Sequence, residues 1–233
     1  MTPYELLERY PDRTRPLVTF YDGTESRIEL SVASVANAVA KAGSMLRDGL
    51  GLEPGARVSI DLPRHWQLPV WIMAALSVGA QVGRDLAGPA DVRIVGPAAL
   101  EALAAGADPG ADEVLVSSCD AFGLPIPGGV PSGIIDIGLE VRGYPDSFSP
   151  EPGAAGTAAL LVDGEPVPWS GLVPGATVTP RARLWVDEST RDRDLIRLVA
   201  VDPLLVGGSV VIGVGLDAEQ SAAIRATESA KRP

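Results

Sequence analysis

The stretch GLEPGARVSIDLPRHWQLPVWIMAALSVGAQV, residues 51–82, decides the fold class. Glu53-Pro54-Gly55 reads as a turn, because proline presets the first dihedral and glycine accepts the left-handed one. ARVSIDL after it is apolar and β-branched enough for a buried strand, and Pro63 ends it. From about His65 to Val78 the chain is almost continuously apolar, too long for one strand, so it reads as a core helix that Gly79 closes. A short strand near Gln81–Gly83 follows. Strand, helix and strand at this spacing form a crossover unit, and crossovers build parallel sheets.

Working outward, Thr2, Pro3 and Glu5 form a capping box at the start of a short helix. PLVTFYDGTESRIEL is a hairpin around Asp22-Gly23-Thr24, and Ser31 caps an amphipathic helix that runs to Gly51. Downstream, DVRIVG and DEVLVSS are strands around the helix PAALEALAAG, and residues 122–133, rich in glycine and proline, are loop. TAALLV, ARLWVDES and GGSVVIGVG are further strands, with DRDLIRLVAVDPLLV a helix between the last two and ATESAKRP a fraying tail. The expected architecture is α/β, a mostly parallel β-sheet with crossover helices on both faces and an N-terminal hairpin. It forms a single domain over 1–233, with sub-layers 1–120 and 150–225 joined by the Gly/Pro-rich loop.

Composition excludes several classes. Apolar residues are 46% and charged residues 21%, which places the chain among soluble globular proteins. The net charge of −11 repels polyanions, and the arginines between 181 and 197 are interleaved with acids, so nucleic acid is excluded as a partner. The longest apolar run, 68–83, is short for a membrane span and contains Pro69. Cys119 is the single cysteine, no Cys/His spacing suits zinc, and the N-terminus lacks an export pattern. A cytoplasmic location without membrane association is expected.

Four motifs carry a more specific reading. They are Glu29-Leu30 leading to Asn37, Glu53-Pro54-Gly55-Ala56-Arg57-Val58 continuing to Leu62-Pro63, Ser77-Val78-Gly79-Ala80-Gln81-Val82, and PLLVGGSVVIG at 203–213. Together they resemble the N-terminal part of the adenylate-forming superfamily, the acyl-CoA synthetases, AMP-dependent ligases and luciferases. The resemblance implies a shared fold. It also implies where chemistry would sit: those proteins place a Ser/Thr/Gly-rich loop ending in Pro-Lys-Gly after a short apolar strand, where its amides and lysine wrap ATP phosphates. Ala158 to Val162 is similar to that strand, but only Asp163-Gly164-Glu165-Pro166 stands where the loop would be. Where the family often has a histidine loop, this chain has Trp185-Val186-Asp187-Glu188-Ser189. Neither Lys41 nor Lys231 maps to a family lysine, and the C-terminal lid domain with its catalytic lysine is expected to be absent.

The expectation is therefore a catalytically degenerate AMP-ligase-like protein with a binding or regulatory role, lacking catalytic residues, a metal site and a cofactor. AMP, ATP and CoA are the residual cofactor candidates. An unidentified protein partner or self-association would supply the function. One alternative is a subunit of a split acyl-adenylate or acyl-CoA ligase completed by a partner chain; a second is a structural oligomerising module. His65 and Trp66 are candidate ligand-lining residues against a structural reading as the start of the core helix. Asp85 and Asp163 lie where strand ends open a crevice, against ordinary turn chemistry. Cys119 reads as a buried, inert thiol.

Overall fold

The computed structural model describes residues 1–24, 26–172 and 178–233. Helix α1 (Pro3–Glu8) opens with the expected capping box, in which the Thr2 amide donates to Glu5 at 2.7 Å. Strands β1 (Pro16–Tyr21) and β2 (Arg27–Ser31) form the expected antiparallel hairpin. The Ser31 hydroxyl accepts the Ser34 amide and starts α2 (Val32–Ser44), which widens into a π-helical turn, Met45–Gly49. The crossover unit follows as β3 (Arg57–Asp61), α3 (Gln67–Ser77) and β4 (Gln81–Gly83).

Next come β5 (Ala90–Val95), α4 (Leu100–Ala104), β6 (Ala111–Val116), β7 (Ile134–Asp136) and two short helices, α5 (Ile137–Glu140) and α6 (Ala154–Thr157). Strands β8 (Ala159–Val162) and β9 (Glu165–Pro168) form a second hairpin. The last part of the chain holds β10 (Arg183–Val186), α7 (Asp192–Ile196), a π-helical turn at Arg197–Val201, α8 (Asp202–Leu205), β11 (Ser209–Gly213) and α9 (Ala218–Thr227).

Among the described residues the strands form two sheets. One has four strands in the order β10-β11-β1-β2, and the other has seven in the order β7-β6-β5-β3-β4-β8-β9. Every pairing is parallel except the hairpins β1–β2 and β8–β9. The division between sheets does not fall at residues 120 and 150. The hairpin near residue 20 joins strands from beyond residue 180, and the chain between them builds the larger sheet, so sequence order conceals the layering.

The all-round apolar character of the central helix has a direct cause: every residue of α3 is buried. It packs on α1 and α2 and on the π-helical turn at Arg197–Val201, so no face meets water. One hydrophobic core runs from this helix into both sheets, joining Val18, Val210 and Ile212 to Ile60, Val82 and Leu160.

The tail departs from expectation. Asp217 and Gln220 make a reciprocal capping box that starts α9, a signal present in the sequence as Asp-Ala-Glu-Gln. Beyond it, the Lys231 amide donates to the Arg183 carbonyl at 2.9 Å and the Trp185 amide donates to the Lys231 carbonyl at 2.8 Å, so the tail extends the smaller sheet instead of fraying. Glu228 fastens it, accepting from Tyr21 Oη at 2.6 Å and pairing with Arg27 and Arg183.

Candidate functional site

The turn between β8 and β9 consists of Asp163 and Gly164 alone, because Val162 pairs directly with Glu165. Both turn residues have positive φ, 51° and 85°, as a tight hairpin turn requires. Asp tolerates this region better than most side chains, and glycine enters it freely. Glu165 and Pro166 are the first residues of β9, which is an edge strand. Pro166 and Pro168 there block further strand pairing.

The hairpin borders a cleft of about 490 Å³. Asp163 and Gly164 form one wall, the β4–β5 connection from Arg84 to Ala87 a second, and Asp192, Arg193 and Ile196 of α7 a third; Arg57 reaches in from β3. The structure thus brings Asp85 and the Asp163-Gly164 turn into one cleft, on the side where the parallel strands β4 and β8 end. Open α/β sheets characteristically place ligands beyond such strand ends.

Asp85 is positioned by its backbone. Its φ is 44°, and its amide donates to Asp61 Oδ1 at 2.7 Å. Asp61 also accepts from Arg93 Nε at 2.7 Å and from the Ser59 hydroxyl. Arg84 is held from behind, its Nη1 donating to the carbonyls of Ile60 at 3.1 Å and Leu62 at 2.8 Å. Arg57 Nη2 donates to the Ala87 carbonyl at 3.2 Å. The cleft carboxylate of Asp192 is neutralised by Arg64 at 2.9 Å.

His65 and Trp66 lie elsewhere. His65 is 3% exposed and packs edge-on against Phe20 at 4.8 Å, with Trp66 tilted 5.5 Å away. Its Nδ1 accepts the Gln67 amide at 3.4 Å, whereas Nε2 is buried without a hydrogen-bond partner among the described residues. Burial pushes its pKa down to about 4, against a weaker upward pull from Asp120 and Asp22. A general base at neutral pH needs a pKa nearer 7 and a reachable proton. Trp66 instead lines a separate apolar groove of about 640 Å³ with Ile28, Leu30 and the 80%-exposed Phe122, the first residue of the glycine- and proline-rich loop.

The remaining candidates are saturated or quiet. Cys119 is half-buried, and burial pushes its thiol up, away from the reactive thiolate. Asp187 directly follows β10. Burial would raise its carboxyl, but donation by Ser189 and Trp185 and the charge of Arg232 hold it below the usual range. Among the described residues, no group of three or more His, Cys, Asp and Glu side chains could hold a metal ion, and no helix is long and apolar enough to cross a membrane.

Sequence reasoning missed the arginine side of the cleft. Arg57 and Arg84 sit at separate strand positions that become neighbours only when β3 and β4 pair, and α7 arrives from the other layer. The lone signal was Arg84 itself, a charge placed directly after an apolar strand.

This architecture defines a class. Two parallel-rich layers around a buried crossover helix are the fold of the N-terminal domain of acyl-CoA synthetases. An acyl-CoA synthetase from Brucella canis superposes with a TM-score of 0.73 at 19% identity, covering 99% of this chain and 46% of that one. The N-terminal domain of FACL13 from Mycobacterium tuberculosis gives a TM-score of 0.69 at 14% identity, covering 99% of this chain and 61% of that one. In sequence, a Mycobacterium tuberculosis protein described as a "TIGR03089 family protein" is 40% identical over 143 residues, 60% of this chain and 58% of that protein. No protein-family model matches the chain. The chain spans less than two thirds of the length of each of these proteins.

Proposed function

We propose that this protein uses an acyl-CoA synthetase-like scaffold for binding or regulation and does not form adenylates. One observation carries the reading: the connection following β8 is a two-residue hairpin turn. A polyphosphate cradle needs several converging amides and a nearby cation. Asp163 and Gly164 offer too few amides, and Asp163 with Glu165 adds negative charge where phosphates would lie. Neither lysine compensates: Lys41 is engaged on α2 with Asp146 at 2.8 Å, and Lys231 belongs to the C-terminal strand extension. The reading includes a cytoplasmic location, no bound cofactor and no nucleic-acid partner, the last supported by the net charge of −11.

The exposed Phe122 beside the apolar groove favours a protein partner or self-association as the means of action. ATP–pyrophosphate exchange with purified protein, magnesium and a panel of carboxylic acids tests the catalytic half of the reading. Exchange at background is the expected result. Acid-dependent exchange above background would overturn it.

A further inference from the structure

The cleft beside the β8–β9 turn contains an imbalance of charge partners. Among the described residues ten arginines pair with a carboxylate and seven, Arg57 and Arg84 among them, do not. Arg57 and Arg84 are nevertheless both part-buried, and neither forms an ion pair with any described residue. Their partners are backbone carbonyls, Ala87 for Arg57 and Ile60 and Leu62 for Arg84. Carbonyls fix a guanidinium in place but leave its charge unneutralised. The Nε of each is also buried without a hydrogen-bond partner among the described residues, so both groups have lost water without full compensation.

Both side chains line the same cleft, whose volume of about 490 Å³ lies in the usual range for small-molecule sites. We infer that Arg57 and Arg84 together bind the acid group of a small organic monoanion, whose apolar body rests on Leu86, Leu161 and Ile196. A planar guanidinium held from one side presents its remaining N–H groups to an oxyanion in a fixed orientation. The rest of the cleft narrows the class. Asp85 and Asp163 border it and repel multiply charged anions such as polyphosphates, while the three aliphatic side chains favour a ligand that is more than an inorganic ion. The shared chemistry is a singly charged oxyanion on an apolar body, a carboxylate or a phosphate diester.

This inference names a ligand class for the binding role proposed above and rests on that role. The two fail separately: pyrophosphate exchange would refute the non-catalytic reading alone, and the titration below addresses the cleft alone. The full chain, labelled with ¹⁵N at arginine, is titrated with butyrate, dibutyl phosphate, inorganic phosphate and pyrophosphate while the arginine Nε–Hε resonances are followed. Saturable shifts of Arg57 and Arg84 with butyrate or dibutyl phosphate are expected, and which of the two binds more tightly identifies the acid group. Arg84→Gln and Arg57→Gln should each weaken binding about tenfold, the usual worth of one charge-assisted hydrogen bond. The exposed Arg142→Gln should leave it unchanged. Arg57→Gln removes a single carbonyl contact and keeps the test open should Arg84→Gln unfold. Absence of saturable shifts across the millimolar range overturns the inference. So does tighter binding of inorganic phosphate or pyrophosphate, or an equal loss in Arg142→Gln.

Discussion

Acidification to pH 5 should destabilise this protein through one side chain. His65 is its single histidine, and burial against Phe20 and Trp66 lowers its pKa from 6.5 to about 4. In the unfolded chain the imidazole binds a proton below pH 6.5; in the folded chain it does so only below about 4. The unfolded state therefore holds more protons between these values, and stability is complete above pH 6.5 and falls as pH drops toward 4. Linkage gives a loss of about 2 kcal/mol between pH 7 and pH 5, and about 3 kcal/mol once both states are protonated. Urea denaturation at pH 7, 6 and 5 measures it in the wild type and in His65→Phe, which keeps a ring against Phe20 and removes the unpaired Nε2. Carboxylates contribute equally to both proteins, so the difference between the two slopes isolates the histidine. Equal slopes, or an imidazole NMR titration with its midpoint near 6.5, would refute the reasoning.

Three further outcomes follow from particular contacts. Burial would raise the Glu228 carboxyl, but hydrogen bonds from Arg27, Tyr21 and Arg183 outweigh it and hold the pKa at about 2. Its contribution is present above pH 4.5 and disappears as pH falls toward 2; Glu228→Gln should cost on the order of 2 kcal/mol at pH 7 and speed hydrogen exchange in α9. Gly164→Ala should cost about 1 kcal/mol in chemical denaturation, since its φ is 85° while a Cβ there would meet no atom within 4 Å. Gly208→Ala should cost about 3 kcal/mol or lower the soluble yield, because its Cβ would lie 2.1 Å from the Ala182 carbonyl oxygen, a backbone atom that cannot swing aside.

What the sequence disclosed and what it hid separate along physical lines. Features written in consecutive residues were legible: the Thr2 capping box, the β1–β2 hairpin, the Ser31 cap and the crossover from β3 through α3 to β4. The resemblance to adenylate-forming proteins rested on segments between residues 29 and 82 and on 203–213, and it matches the observed fold. The partition into two sheets was not legible, because pairing β1 with β11 joins Val18 to Val210 across most of the chain. Strand β9 was obscured by Pro166 and Pro168, which argue against a central strand but suit the edge position it occupies. Of the candidate site residues, Asp85, Asp163 and Gly164 share the cleft, while His65 packs against Phe20 of the hairpin and Trp66 lines the separate apolar groove. Arg57 and Arg84 escaped notice because nothing in a sequence shows that a guanidinium lacks a carboxylate.

The two-residue turn at Asp163-Gly164 leads to the central claim, that no polyphosphate is held after β8. Isothermal titration calorimetry of the full chain with magnesium–ATP addresses it directly. The account predicts no saturable heat across the millimolar range. Saturable binding at micromolar ATP that is lost when Asp163 and Gly164 are substituted would contradict it.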